Sequence, residues 1–293
     1  MESPLLDRQF LEKLERLTIH WKKSFPGLVG GHNPSRYSGG GQEFLDHRHF
    51  HHGDDLRAVN WRAYMRLEKL FLKMFQIEPR TPVRLLLDTS QSMTAPTPEK
   101  LLFAKRLAAA LCYVGLVRLD TLSIQTFADR LGERLTCGGG RHRFSPVMQW
   151  LAARPSGGPS SYLQVAREFL SVHTQPGLVV IVSDFLDETG CERALQYISD
   201  FGHELLLIHV WAEEERRPPW RGEVELVDAE SGSRMRIEVD DQARDRYTAA
   251  FDEYAGTLQT LALRKSGRYI GVSTATAIED VLFGPVVRAW GLS

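Results

Sequence analysis

Short apolar runs that end in polar residues alternate along this chain with longer segments of helical periodicity. Val83–Ser92 reads V-R-L-L-L-D-T-S-Q-S, an apolar run that stops at a carboxylate. Gly177–Asp184, G-L-V-V-I-V-S-D, repeats this arrangement, and Glu204–Trp211 is a third continuous apolar run. Runs of this length are typical of strands that are buried on both faces of a parallel sheet.

The segments between these runs have the apolar spacing of helices that pack against a sheet. Helices are predicted over Leu5–Ile19, Pro98–Arg118, Tyr162–Val172, Cys191–Phe201 and Asp240–Leu263. Strands that alternate with helices indicate βαβ units, and right-handed crossovers place the helices on both faces of the sheet. The sequence therefore predicts an α/β fold with a doubly wound, mostly parallel sheet.

Three further patterns refine this organisation. Thr121–Ala128 alternates with period two, which predicts a half-buried or edge strand. Gly222–Val239 contains two alternating runs around the turn residues Glu230–Ser233, which predicts a hairpin. The sequence E-P-R-T-P interrupts the pattern just before the first apolar run. We therefore expect residues 1–80 to form an N-terminal extension and residues 81–293 to form the α/β domain, with a hairpin excursion near 222–239.

Composition excludes several classes of protein. The 36 basic and 37 acidic residues give a formal net charge of -1, so the overall charge provides no reason to expect nucleic acid or an anionic membrane as a partner. The three cysteines are far apart in sequence, which favours a reducing compartment. The first residues lack the features of a signal peptide, and no apolar run approaches the roughly 18 residues of a membrane span. A cytoplasmic location is expected.

Polar side chains follow two of the predicted strands at the point where each strand ends. Asp88, Ser90 and Ser92 follow the first apolar run, Asp184 ends another, and the loop Pro159–Ser161 precedes a predicted helix. The carboxyl ends of parallel strands share one edge, so these groups are expected to converge. Such an oxygen-only set suits Mg2+. The alternative is that Asp88 and Ser90 are ordinary turn and cap residues.

The residues Asp88–Met93, D-T-S-Q-S-M, resemble the D-x-S-x-S-M motif of von Willebrand factor A-type domains. In that fold this motif, a loop Thr and a later Asp form the metal-ion-dependent adhesion site. The resemblance places the loop ligand at Ser161, with Ser160 as the alternative, and the later Asp at Asp184. Tyr162 stands where the family usually has an acidic residue. The implied ligands of Mg2+, with Mn2+ or Ca2+ as substitutes, are Asp88, Ser90, Ser92, Ser161 and Asp184.

The segment Gly53–Ala63, G-D-D-L-R-A-V-N-W-R-A, resembles the G-D-x-x-R-x-I-x-W signature of a bacterial family called domain of unknown function fifty-eight. Members of this family resemble von Willebrand factor A proteins that accompany MoxR-type AAA+ ATPases. The resemblance implies a von Willebrand factor A-like domain with an N-terminal extension. It also implies a non-catalytic interaction module, an adaptor or assembly factor, whose cation site is completed by an acidic side chain of a MoxR-type partner.

The histidine-rich segment His47–Asp55, H-R-H-F-H-H-G-D-D, offers an alternative. Histidine and aspartate are common ligands of transition metals. A metal-dependent phosphohydrolase would use His49, His51, His52 and Asp54. No second ligand set of clear spacing follows, so a structural role is favoured: a buried ion pair and turn caps formed by Asp54, Asp55 and Arg57 near Trp61, with Trp61 as a core anchor.

An enzyme built on Asp88 is not expected. Haloacid-dehalogenase-type phosphatases place a nucleophilic Asp at a strand tip and a general-acid Asp two residues later, but Ser90 stands at that second position here. The chain also has no G-x-S-x-G nucleophile motif.

A third hypothesis keeps the scaffold and its partners but makes the cation site vestigial.

Overall fold

A computed structural model describes residues 5–6, 9–14, 43–52, 54, 56, 59–76, 82–117, 122–138, 140–187, 190–264 and 267–286. The chain forms two compact units, one of residues 25–80 and one of residues 1–24 together with 81–293. Gly53, Asp55 and Arg57 of the histidine-rich and signature segments lie outside the described residues. Within the described ranges, none of the helices combines the length and the apolar character that crossing a bilayer requires.

The unit of residues 25–80 contains an antiparallel strand pair and one short helix. Its elements are β1 Glu43–His49, α1 Trp61–Leu67 and β2 Phe71–Gln76. The prediction that Trp61 is a core anchor is wrong, since its side chain is 55% exposed. The reason is local: α1 buries none of its residues, and the Trp61 ring packs edge-on against Tyr64 of the same helix.

The larger unit is built on a six-stranded sheet. Its strands are β3 Val83–Asp88, β4 Leu122–Phe127, β5 Leu131–Cys137, β6 Leu178–Ser183, β7 Glu204–Trp211 and β10 Arg268–Ser273. They lie in the order β10-β7-β6-β3-β4-β5, and every neighbouring pair is parallel except β4 and β5. Counted within this sheet the order is 3-2-1-4-5-6, the doubly wound order. The predicted α/β fold class with a doubly wound, mostly parallel sheet is therefore confirmed.

Helices cover both faces of this sheet. They are α2 Glu99–Val117, α3 Phe144–Ala152, α4 Tyr162–Val172, α5 Cys191–Asp200, α6 Glu213–Arg216, α7 Asp241–Arg264 and α8 Ile278–Val281. Leu86 of β3 packs with α4, α5 and α7 in one apolar cluster. Its neighbours Leu85 and Leu87 point to the opposite face, where α2 packs, because side chains alternate along a strand. β8 Gly222–Val227 and β9 Arg234–Val239 form the predicted hairpin.

The N-terminal residues that the structure describes contribute to this core. Residues 9–14 are helical, and Phe10 and Leu14 are buried. Lys13 forms an ion pair of 3.4 Å with Glu279 at the other end of the chain. The rest of the helix predicted from Leu5 to Ile19 lies mostly outside the described residues.

Strand β4 is not the half-buried or edge strand that its alternation predicts. It lies between β3 and β5, and its polar residues Gln125 and Thr126 are as buried as its apolar ones. The Gln125 side chain is tolerated there because its amide N donates to the Gly132 carbonyl at 3.2 Å, while its amide O lies 3.0 Å from His173 Nε2. The alternation in sequence reflects this buried polar network rather than a solvent-facing side.

A buried arginine at the amino end of β3 belongs to the same network. Arg84 Nε donates to His173 Nδ1 at 3.1 Å, and another guanidinium nitrogen lies 3.4 Å from His203 Nδ1. The third nitrogen donates to the Gln175 carbonyl at 2.8 Å. Both histidines can accept from Arg84 only while they are neutral. Burial, and next the charge of Arg84, lowers the pKa of His173 to about 4, and both causes also lower the pKa of His203.

We therefore expect acid to destabilise the fold through His173. Its folded pKa lies below its unfolded value, so its contribution is complete above about pH 6.5 and is lost as pH falls towards 4. The positive charges of Arg84, Arg134 and His203 all oppose its protonation. The free energy of unfolding should fall by about 2 kcal/mol between pH 6.5 and 5. Urea unfolding should show a smaller loss for His173→Gln, whereas the exposed control His142→Gln should match the unmodified protein.

Candidate functional site

Two buried carboxylates lie next to each other at the carboxyl edge of the sheet. Asp88 is the last residue of β3, and Asp184 directly follows β6. These strands are parallel neighbours, which places both residues at one edge, as the sequence predicts. Asp88 is completely buried and Asp184 nearly so. Charged groups are rarely buried unless paired, so their partners decide what this edge can do.

The Asp88 carboxylate accepts hydrogen bonds from three sides. Oδ1 accepts from the Ser90 backbone N at 2.8 Å, an arrangement that also caps the turn after β3. Oδ2 accepts from the Ser183 hydroxyl at 2.6 Å and from the Tyr162 hydroxyl at 3.2 Å. Ser183 is held in turn by the Phe185 backbone N, which donates to its hydroxyl at 2.8 Å. Asp88 is therefore fixed by groups from the turn after β3, from β6 and from α4.

The hydroxyls of the D-x-S-x-S segment converge beside Asp88. Ser90 and Ser92 are buried, and their hydroxyl oxygens lie 2.9 Å apart. A 3-10 turn begins at Ser92 and carries the chain away from the strand tip. The Gln91 backbone N donates to the carbonyl of Gly158 at 2.9 Å. The turn after β3 is therefore joined to the loop that leads into α4.

The loop residues Ser160 and Ser161 lie at the same edge and are half-buried. Ser161 is the N-cap of α4, and its backbone N donates to the Ala128 carbonyl at 3.0 Å. Its hydroxyl makes no capping hydrogen bond with the described first turn of that helix. The Ser160 hydroxyl donates to the Leu186 carbonyl at 3.1 Å, two residues after Asp184. All three predicted segments thus meet at one edge, and Ser161 keeps a hydroxyl that α4 does not use.

A buried lysine pairs with Asp184. Lys100 lies near the start of α2, and its ammonium donates to Asp184 Oδ2 at 2.9 Å and to Glu215 Oε1 at 2.5 Å. The Lys100 side chain has no exposed surface, and that of Asp184 is only 3% exposed. Glu215 is itself fixed by the Ala212 backbone N, which donates to Oε2 at 2.6 Å. Lys100 therefore joins the site edge to α6.

The cluster contains one ammonium and three carboxylates, and the ammonium donates to two of these, Asp184 and Glu215. Burial, and next the negative charge of Asp184, raises the pKa of Asp88 to about 7. Burial lowers the pKa of Lys100, but Asp184 and Glu215 outweigh it, so this pKa lies above its ordinary value. Burial also raises the pKa of Glu215. When all three carboxylates are ionised, the edge holds more negative charge than Lys100 neutralises, and additional positive charge would favour that ionised state.

The histidine-rich segment forms no comparable cluster. Among the described residues, no three His, Cys, Asp or Glu side chains lie together in a way that could hold a metal ion. Asp54 instead forms an ion pair of 2.8 Å with Arg48 and accepts a hydrogen bond from the His51 backbone N at 2.8 Å. Asp54 thus has the predicted turn contact, but the prediction that its ion pair is buried is wrong, since the Arg48 side chain is 40% exposed. The Asp88 edge differs from this segment because it combines two carboxylates with serine hydroxyls.

Comparison with known proteins places the chain in a family. A family model described as "Protein of unknown function DUF58" matches residues 46–255. The chain belongs to this family. A relative of this DUF58 protein is "Uncharacterized protein Rv1480" of Mycobacterium tuberculosis strain H37Rv. It is 26% identical over 249 residues, which cover 83% of this chain and 78% of the relative.

Solved structures that are similar to this DUF58 protein share little sequence with it. The conserved hypothetical protein BatB from Bacteroides thetaiotaomicron is 14% identical with a TM-score of 0.41, covering 73% of this chain and 100% of that one. Manganese-loaded TRAP protein of Plasmodium vivax is 13% identical with a TM-score of 0.38, covering 69% of this chain and 72% of that one. The fold assignment rests on the strand order of the DUF58 sheet.

Sequence reasoning missed four of the residues that surround Asp88 and Asp184 in this DUF58 protein. Tyr162 and Ser183 are adjacent in sequence to the predicted ligands Ser161 and Asp184, and this adjacency was the available signal for both. Lys100 and Glu215 gave no such signal, because a lysine at a helix start and a glutamate after a strand are ordinary surface residues in sequence. Only the fold brings them to the edge.

Proposed function

We propose that this DUF58 protein is a non-catalytic protein-interaction module with a divalent-cation site at the carboxyl edge of its sheet. The proposed ligand residues are Asp88, Ser90, Ser92, Ser161 and Asp184. Mg2+ is the expected ion, with Mn2+ or Ca2+ as substitutes. The observation that carries the proposal is the buried pair of carboxylates Asp88 and Asp184 at adjacent strand tips, of which Asp184 is paired with Lys100.

The residues present are of the kind that fits such an ion. Mg2+ prefers oxygen ligands and keeps open positions for water or for an outside group. Each carboxylate oxygen has two lone pairs, and among the described contacts Asp88 Oδ1 and Asp184 Oδ1 each accept one backbone hydrogen bond. Ser90 and Ser92 add two buried hydroxyl oxygens beside Asp88. The bound ion would supply the positive charge that Lys100 alone does not provide.

The coordination positions that the protein leaves open on the ion indicate the chemistry of the partner. A cation that keeps an exchangeable position can bridge to a carboxylate on another protein, so we propose an acidic side chain of a partner as the group that completes the site. From the resemblance of Gly53–Ala63 to the family signature, we propose a MoxR-type AAA+ ATPase as that partner and an adaptor or assembly role for this chain. A cytoplasmic location remains a prediction of the sequence.

Removing Asp88 is expected to abolish cation binding. Mg2+ should raise the thermal midpoint of the unmodified protein, because a ligand that binds only the folded state stabilises that state. At a Mg2+ concentration of one hundred times the dissociation constant, the free energy of unfolding should rise by about 2.7 kcal/mol. Asp88→Ala should show no such shift and no heat of Mg2+ binding in calorimetry. Asp245→Ala removes an exposed carboxylate from α7 and serves as the matched control, with a response like that of the unmodified protein.

Partner capture tests the second half of the proposal. A pull-down with the full chain as bait should recover an AAA+ ATPase in the presence of Mg2+ and lose it when a chelator is added. Asp88→Ala bait should fail under both conditions. If Mg2+ raises the thermal midpoint of Asp88→Ala and of the unmodified protein equally, the proposal of a cation site at Asp88 is wrong. If Mg2+ shifts the thermal midpoint of neither protein but the ATPase is still captured, the chain acts as a protein-binding scaffold with a vestigial cation site.

A further inference from the structure

The tip of the β8–β9 hairpin reaches the loop that carries Ser161. Glu230 Oε2 accepts a hydrogen bond from the Ser160 backbone N at 2.9 Å and lies 3.3 Å from the Ser160 hydroxyl oxygen. That hydroxyl also lies 3.1 Å from the carbonyl of Leu186, in the segment that follows Asp184. A carboxylate of this chain, 70 residues away in sequence, is thus seated beside the proposed cation site.

The turn that carries Glu230 is held in one shape. Asp228 Oδ1 accepts from the backbone N of Glu230 at 3.2 Å and from the backbone N and hydroxyl of Ser231, each at 2.6 Å. Gly232 has a φ of 69°, a left-handed conformation that glycine adopts without strain. These contacts fix the backbone from which the Glu230 side chain extends to the loop.

The second carboxylate oxygen of Glu230 lacks a donor. Oε1 is buried, and it has no hydrogen-bond partner among the described residues. Leaving a buried charged oxygen unpaired is costly, typically more than about 1–3 kcal/mol. A cation held beside the Ser160–Ser161 loop would pair with this oxygen, whereas a neutral apolar group would not. The orphaned oxygen is therefore a position at which a cation, or a donor bound to one, would be accommodated.

We propose that the β8–β9 hairpin closes the cation site from within, with Glu230 in the position that an acidic side chain of a partner takes. This inference rests on the proposed function and adds its regulation. In the closed state the chain supplies its own carboxylate, and a partner must displace the hairpin tip before its acid can enter.

The hairpin is suited to such displacement. β8 and β9 pair only with each other among the described strands, and most of their residues are exposed. A two-stranded hairpin is marginally stable by itself, so the contact of Glu230 with Ser160 contributes substantially to holding the tip in place. Competition by an external carboxylate then needs to overcome only that contact and the attraction of Glu230 to the cation.

The test removes the charge of Glu230 and keeps its shape. Glu230→Gln should bind Mg2+ about tenfold more weakly than the unmodified protein in calorimetry, because the number of charged ligands sets the affinity for a hard cation. The Mg2+-loaded variant should also bind N-acetylglutamic acid amide, a single external carboxylate, which the unmodified protein excludes. Glu223→Gln removes an exposed carboxylate from the same hairpin and should behave like the unmodified protein.

The outcomes separate this inference from the proposed function. If Asp88→Ala abolishes Mg2+ binding while Glu230→Gln binds Mg2+ like the Glu223→Gln control, the cation site stands and the internal closure is overturned. Weaker Mg2+ binding by Glu230→Gln without any gain in probe binding also overturns the closure, since the two carboxylates then do not share one position. Absence of Mg2+ binding by the unmodified protein overturns both.

Discussion

Replacing Lys100 with methionine is expected to lower the free energy of unfolding by about 3–5 kcal/mol, the cost of breaking a buried ion pair by removing one partner. The ammonium lies between Asp184 and Glu215 with no exposed surface, so its loss leaves two carboxylates in a poorly solvated place. Methionine has a similar length, which limits the cavity that the change creates. Urea unfolding without divalent cations measures the effect.

Two further variants show whether charge is the cause. Lys105→Met, on the same helix, removes an ammonium that donates to the Arg154 carbonyl at 2.6 Å, and should cost only about 1 kcal/mol. Adding Asp184→Asn and Glu215→Gln to Lys100→Met should restore most of the lost stability, because no buried charge is then unpaired. Equal losses for Lys100→Met and Lys105→Met would contradict a buried ion pair at the site.

Cation binding adds a second expectation for Lys100→Met. A divalent ion at the edge would neutralise Asp184 in place of the ammonium, so the stability lost by this variant should be smaller in Mg2+ than in chelator. The variant should also bind Mg2+ more tightly than the unmodified protein, because the competing positive charge is gone. An unchanged affinity would show that Lys100 and the ion do not influence the same carboxylates.

The sheet and the positions of its two carboxylates were predictable from sequence for a simple physical reason. An uninterrupted apolar run is long enough to identify a buried strand, and the first polar residue after it marks the strand tip. Parallel strands in a doubly wound sheet have their carboxyl ends at one edge, so Asp88 and Asp184 were expected at that edge, and they lie close together because β3 and β6 are neighbours. Hydrophobic pattern and topology together determine that meeting.

The charge partners of these carboxylates were not predictable in this way. Lys100 and Asp184 are 84 residues apart, and Lys100 and Glu215 are 115 apart. Periodicity shows which face of α2 packs on the sheet, but it does not show how far a long side chain extends over the strand tips. The same limit applies to Glu230: turn residues predict a hairpin, while the direction in which its tip points depends on tertiary packing.

Asn at position 88 is expected to stabilise the cation-free protein at neutral and alkaline pH. Burial and Asp184 raise the folded pKa of Asp88 to about 7 from an ordinary value of 3.8. A carboxyl whose pKa is raised on folding contributes most stability when it is protonated, and that contribution is lost as pH rises through 7. Asp88→Asn removes this loss, so it should gain on the order of 2–4 kcal/mol over the unmodified protein at about pH 8.

The same change should separate stability from binding. Asparagine resembles the protonated acid in shape and can still accept the Ser90 hydrogen bond, so the two proteins should be nearly equally stable below pH 3.8 and diverge as pH rises from there to about 7. At about pH 8, Mg2+ should stabilise the unmodified protein and leave Asp88→Asn unaffected. Paired urea titrations across this range, with Mg2+ and with chelator, measure both effects. A variant that is less stable than the unmodified protein at every pH would mean that Asp88 is held as an anion by its hydrogen bonds alone, and the site would then need no cation to balance it.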